Sequence, residues 1–322
     1  HLAPRCGPEN EMLFTFGLLR LAIGLPSPDP HAIRPTSWAN LVLTISFYGV
    51  RGSTPCSCDS TRGIGGNTAC VVVEHEGGTP IVLDMGTGLR YYGAQLEATG
   101  QKAFEGTALV THLHWDHIQG IPFFRPMLNP GSNILIVGPP QEGSTLAAEV
   151  ERFVQPPLFP VHLGDLPGTV RFLESLPTQS IQAGECTITT GLVPHCGHTN
   201  GYRIQNPTGS VAYISDHQQP SDGSISVAPE VVELCRDVDV LIHDAQYSAE
   251  EFAQRLDWGH STPEYALEVA KACNAKRLVL FHHDPSHSDD WVRTAEKRLA
   301  EAAVDLGIEV IAAYEGLLLT SG

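Results

Sequence analysis

The chain has 322 residues, 42% of them hydrophobic, with 19 Lys and Arg against 36 Asp and Glu and a formal net charge of -17. A chain of this length and apolar content buries a substantial core, as one large domain or two, while the acid excess argues against a broad electrostatic grip on nucleic acid and leaves room only for a local basic patch. Its eight Cys are scattered without a repeated pairing pattern in a chain too large to need disulfide staples, which points to a reducing compartment, and the protein reads as cytoplasmic.

Residues 1–40 begin with His and carry an apolar run from Met12 to Leu25 broken by Arg20. That run is too short to span a bilayer, and the preceding Glu9 and Glu11 deny it the basic flank of a signal peptide. These residues read as an appended leader, and residues 41–322 as one domain with no membrane association. From residue 41 the texture changes to short strands rich in β-branched and apolar residues, at 41–48, 69–74, 81–83, 108–111 and 134–137. Helices are expected at 144–153, 229–236, 262–273 and 290–306, the third opening on Ser261, Thr262, Pro263 and Glu264, a good start signal. Further strands fall at 187–192, 239–242, 277–281 and 308–312. Two sheets packed face to face with helices outside suit this order.

Chemistry concentrates where strands run out. His112, His114, Asp116 and His117 lie within six residues after an apolar strand. Alternating His side chains share one face of an extended segment while Asp116 and His117 point elsewhere, so one turn serves two neighbouring metal ions. Imidazole nitrogen and carboxylate oxygen suit zinc, with a position left for water. His195, Asp216 and His282 each follow a later strand, and strand ends are where an α/β protein assembles a site from distant segments.

In that order, His-x-His-x-Asp-His followed by His, Asp and His, the chain resembles a metallo-β-lactamase superfamily hydrolase over residues 41–322. Leu241-Ile-His-Asp-Ala-Gln-Tyr247, Gly259-His-Ser-Thr262 and Leu278-Val-Leu-Phe-His282 resemble motifs of the tRNase Z-like branch and of the phosphoribosyl cyclic phosphodiesterases. The resemblance implies an α/β fold, an αββα sandwich of two mixed sheets flanked by helices, with two divalent ions at one edge. Zinc is expected first, manganese or iron as alternatives. By matching positions, His112, His114 and His195 would hold one ion, Asp116, His117 and His282 the other, and Asp216 would bridge them.

Two ions roughly 3.5–4 Å apart share a hydroxide at neutral pH and polarise the ester under attack. Asp216, Asp116 and His260 form the expected catalytic set, with His260 stabilising a phosphoryl oxygen or protonating the leaving group. Asp84 would fix a ligand tautomer or cap a turn. His243 and Asp244 would orient His260 or a ligand, or form a buried structural pair. Residues 123–161 would form a lid whose Arg125 reaches an anion, or a packed connection. Cys56 and Cys58 invite a structural zinc, but no complete ligand set is evident. His195 and Asp216 are too close for the long RNA-binding arm of tRNase Z, so the expected substrate is a small or cyclic phosphodiester rather than extended nucleic acid, with promiscuity toward phosphotriesters, phosphonates and sulfate esters. Relatives of this kind often dimerise, which makes a homodimer an open expectation. The alternatives are a lactone, β-lactam or carboxylic-ester hydrolase on the same fold, or a binding scaffold without activity.

Overall fold

The computed structural model describes residues 41–321, so the leader assigned to residues 1–40 lies outside the described residues. Fourteen strands form two sheets of seven among those residues. The first contains β1 (Thr44–Gly49), β2 (Cys70–Glu74), β3 (Ile81–Leu83), β4 (Glu105–Leu109), β5 (Asn133–Gly138), β6 (Thr169–Glu174) and, at its edge beside β1, β14 (Leu318–Thr320). The second runs β7 (Ser180–Ala183), β8 (Cys186–Leu192), β9 (Asn200–Asn206), β10 (Gly209–Ile214), β11 (Val240–Asp244), β12 (Arg277–Phe281) and β13 (Glu309–Ala312), adjacent in that order. Each sheet is antiparallel in one half and parallel in the other, over β3 to β6 in the first and β10 to β13 in the second.

Strand alternation sorts the side chains into three apolar layers. Ile45, Phe47, Val71, Leu83, Tyr202, Val211, Ile242 and Phe281 fill the space between the sheets. The outer face of the first sheet packs Val72, Val82 and Ile136 against α1 (Leu89–Ala98) and α3 (Leu146–Phe153). The outer face of the second packs Ala212, Leu241 and Leu278 against α4 (Pro229–Cys235), α6 (Pro263–Ala272) and α7 (Asp289–Ala303). The result is the helix, sheet, sheet, helix order expected.

Local signals set the helix ends. Thr145 caps α3 with its hydroxyl on the Ala148 N–H at 3.1 Å, Thr262 caps α6 through Tyr265 at 3.2 Å, and Ser288 caps α7 through Trp291 at 3.2 Å. The last helix stops at Ala303 and a single 3-10 turn carries it to Leu306, where Gly307 turns left-handed at φ 68°. The stretch 123–161 is for most of its length a packed connection rather than a lid: β5 and α3 lie within it, and Phe124, Met127, Ile134 and Val150 are buried. Among the described residues no helix is long and apolar enough to cross a membrane.

Candidate metal centre

The parallel halves of the two sheets aim their C-terminal ends at one edge. Past β3 comes Asp84, past β4 His112, past β10 Asp216 and past β12 His282; Asp244 ends β11, and His195 follows the antiparallel strand β8. His114 is extended (φ -64°, ψ 151°) and immediately precedes α2 (Trp115–Ile118). The backbone therefore changes from extended to helical at this point, which separates His112 and His114 from Asp116 and His117.

Among the described residues, three groups could hold an ion, each with ligand atoms within 4.8 Å of one another: His112, His114, His195 and Asp216; Asp116, His117 and His282; Asp216, His260 and His282. Asp216 divides its oxygens between the first two. Its Oδ1 lies 3.2 Å from His117 Nε2 and 3.4 Å from His282 Nε2, while Oδ2 lies 3.8 Å from Nε2 of both His112 and His195. Asp116 Oδ2 is 3.1 Å from Nε2 of His117 and of His282. Bonds of 2.0–2.1 Å in tetrahedral zinc put ligand atoms about 3.3 Å apart, so the second group is spaced for an ion without rearrangement.

The other ring nitrogens explain which atoms point inward. His117 Nδ1–H donates to Asp84 Oδ2 at 2.7 Å, His282 Nδ1–H to Gln246 Oε1 at 2.8 Å, and His195 Nδ1–H to the Gly259 carbonyl at 2.7 Å. His112 Nδ1 contacts Thr111 Oγ1 at 3.1 Å. Each such bond leaves the Nε2 lone pair for a cation. Nε2 of His117 and His282 face each other at 3.3 Å, and the buried His112 Nε2 and Asp216 Oδ1 lack a hydrogen-bond partner. Lone pairs and carboxylate oxygens so crowded repel unless a cation or protons lie among them. The residues fit divalent metal ions.

Protonation tells the same story. Burial opposes ionisation of Asp116 and Asp216, yet His117 and His282 beside them outweigh it and hold both carboxyls well below their usual range. Burial likewise opposes charge on His117 and His282, and the carboxylates overcome it and raise both imidazoles. His112, His114 and His195 are lowered by burial and neighbouring imidazoles, hence neutral and ready to coordinate.

His260, 8% exposed, stacks on His282 with ring centroids 5.1 Å apart. Its Nδ1 lies 3.0 Å from Asp244 Oδ2 and 3.7 Å from Asp216 Oδ2. Asp244 is itself held by the backbone N–H of His217 at 3.1 Å and of Gln246 at 2.9 Å. His243 faces away, accepting from His217 Nδ1 at 2.9 Å and donating to the Asp244 carbonyl at 2.8 Å. Its ring bonds thus run to His217 and the backbone, whereas Asp244 meets His260. Arg125 does not reach the cluster: its 3-10 turn directs it to Glu97 at 3.2 Å, with 68% of the side chain exposed. None of the three metal-capable groups includes Cys56 or Cys58. His198 is exposed, while His283 bonds the Ala313 carbonyl at 3.0 Å and His287 pairs with Glu251 at 2.9 Å.

Sequence reasoning named Asp84 and Asp244 but missed the other supports. Asp84 Oδ2 also accepts from Tyr213 O–H at 2.9 Å, and its Oδ1 from Thr111 N–H at 2.8 Å. Ser53 N–H donates to Asp116 Oδ2 at 2.7 Å, and Gln246 Nε2 donates to Ser53 Oγ at 3.2 Å. The available signal was Gly52, where a Cβ would lie 2.4 Å from the His282 ring.

Two face-to-face sheets with a His and Asp cluster at one edge define a metallo-β-lactamase architecture. Residues 81–283 match the β-lactamase superfamily domain, and the chain belongs to that superfamily. It is 33% identical over 111 residues to Ribonuclease Z of Acaryochloris marina, covering 32% of this chain and 35% of that protein. The match thus spans about a third of the length of that curated relative. Among solved structures, the metallo-β-lactamase fold protein YhfI from Bacillus subtilis superposes with a TM-score of 0.65 at 18% identity, covering 87% of this chain and 99% of that one. A diphosphatase from the PhnP family superposes with a TM-score of 0.61 at 19% identity, covering 86% and 97%. These structural likenesses establish the shared fold.

Proposed function

We propose that the protein is a hydrolase that cleaves small phosphodiesters with two divalent ions, zinc foremost, in the cytoplasm. The observation that carries this reading is the division of one carboxylate, with Asp216 Oδ1 toward His117 and His282 and Oδ2 toward His112 and His195. Ions in those two groups supply activation of water near neutral pH and a Lewis-acid grip on the ester. The negative charge of the Asp216 carboxylate would offset part of the charge of such ions, with one oxygen facing each group. His260, fixed through Nδ1 by Asp244, is placed to donate to a phosphoryl oxygen or to the departing alkoxide.

The cleft beside these groups has a volume of about 430 Å³ and is lined by Ser53, Leu113, His114, Trp115, Asp116, Asp216 and His260. It is at the lower end of the range for small-molecule sites, roughly 300–1,000 Å³. Among the described residues no Lys or Arg lines it, so it neutralises little beyond the diester itself. The likeness to ribonuclease Z favours RNA as substrate; against it stand the net charge of -17 and the β9–β10 hairpin, which joins His195 to Asp216 with no room for an inserted arm.

The test is hydrolysis of bis(p-nitrophenyl) phosphate by protein of measured metal content, beside lactone, β-lactam and carboxylic-ester panels. Asp216→Ala should lose both metal and turnover, whereas His260→Ala should keep its metal and lose about 10²- to 10⁴-fold in rate. Cleavage of a carboxyl-type substrate without diester turnover would sink the proposal, and an unchanged His260→Ala rate would remove that residue from the mechanism.

A further inference from the structure

Trp115 stands out at the rim of the cleft. In α2 the next three residues, Asp116, His117 and Ile118, are buried, yet the Trp115 side chain is 72% exposed and forms part of the cleft wall beside Leu113. A large aromatic surface kept in water next to a reaction centre gains most when a ligand covers it. Trp115 lines the same cleft as His114, Asp116 and Asp216, all members of the metal-capable groups. Phosphate at the ions and a planar ring on the indole are therefore within reach of one small molecule.

Charge narrows the class. Among the described residues the cleft wall contains two Asp, two His and no Lys or Arg, so it suits a ligand with a single negative charge and no second phosphate. Ser53 Oγ accepts from Gln246 Nε2 and keeps its own O–H for a ligand oxygen. A planar face, a hydroxyl and a centre for one phosphodiester match the base, ribose and phosphate of one nucleotide unit.

We propose that Trp115 is a stacking shelf for a nucleobase, and hence that the diester cleaved here is a nucleotide rather than a base-free sugar or lipid phosphate. This rests on the phosphodiesterase reading above. Because every base has a π face, the shelf discriminates weakly among bases and strongly against their absence.

The experiment compares kcat/KM for a nucleoside 2′,3′-cyclic monophosphate with that for the matching base-free methyl riboside cyclic phosphate, in zinc-loaded wild type, Trp115→Phe and Trp115→Ala. The ratio between the two substrates cancels any damage to the metal groups. It should fall about 5- to 150-fold in Trp115→Ala, which is what one base stack is worth, mainly through KM, and Phe should restore most of it. Binding of a nucleoside monophosphate, followed by tryptophan fluorescence quenching, should weaken by the same factor in Trp115→Ala, read from the remaining tryptophans or by calorimetry. A ratio equal in wild type and Trp115→Ala, or a Phe variant as impaired as Ala, overturns the shelf. Bis(p-nitrophenyl) phosphate separates the two levels: its turnover with an unmoved ratio defeats the shelf alone, and absence of all diester turnover in metal-loaded wild type defeats both.

Discussion

Replacing Asp84 by Asn isolates what a buried carboxylate does for the metal centre without touching a ligand. Asp84 sits in the left-handed region at φ 57°, which Asn tolerates as well as Asp, so the backbone is not strained by the exchange. Both oxygens are in use: Oδ1 accepts from Thr111 N–H at 2.8 Å, and Oδ2 from His117 Nδ1–H at 2.7 Å and Tyr213 O–H at 2.9 Å. An amide has one accepting oxygen, so its nitrogen must face a donor whichever way it turns. Facing His117 and Tyr213 it strands two buried donors; facing Thr111 it strands one, at a cost of about 1–3 kcal/mol. The cheaper orientation keeps an oxygen on His117, so the tautomer survives while the carboxylate charge behind it is gone. Metal affinity should then fall toward the about 10-fold end of the roughly 10- to 100-fold range typical of such supports. Urea unfolding of metal-free protein measures the first quantity and chelator competition the second. A variant within about 0.5 kcal/mol and twofold of wild type on these two axes would refute the assignment of Asp84 as an orienting acceptor.

Gly52→Ala should destabilise the fold by about 1–3 kcal/mol and reduce bound metal, because the new Cβ would lie 2.4 Å from the His282 ring and 2.7 Å from Gln246 Oε1; thermal unfolding and metal analysis check it, and wild-type values for both would contradict the packing. Metal affinity should fall on acidification. His117 and His282 are raised by the carboxylates around them, so below those raised values an incoming ion must displace their protons. In the metal-free protein the same protons stabilise the fold fully below about pH 6.5 and their contribution is lost as pH rises through the raised values. Calorimetric titration in buffers of differing ionisation enthalpy should show proton release that grows as pH falls, and a flat profile would count against those two residues as ligands.

What could be read in advance followed the range over which each signal acts. The strand at 277–281 and the helix start within 261–264 depend on neighbours in sequence, and both lie where expected. The helix Leu89–Ala98 escaped notice because Gly93 interrupts its pattern; the structure needs Gly there, where a Cβ would lie 3.0–3.3 Å from Pro126 and Phe124. The seven ligand candidates were legible because metal chemistry restricts residue type. Apart from Asp84 and Asp244 their supports were not: Tyr213 meets Asp84 across 129 positions and Ser53 meets Asp116 across 63, and a Tyr or Ser that donates one hydrogen bond looks like any other. Arg125 was left between an anion and a packed connection, because a cation's destination depends on a partner, here Glu97, that composition cannot assign.

His112, His114, Asp116 and His117 hang from the sheet begun by β1, whereas His195, Asp216 and His282 hang from the other. Each of the first two metal-capable groups draws on both. An ion held there is a rivet through the sandwich, and its binding free energy strengthens the joint between the layers rather than either layer alone. Neither sheet by itself assembles either of those two groups, so filling both of them would follow docking of the two halves. Loading of those two groups would thereby act as a proofreading step on assembly: a chain whose sheets meet out of register splits both of them apart.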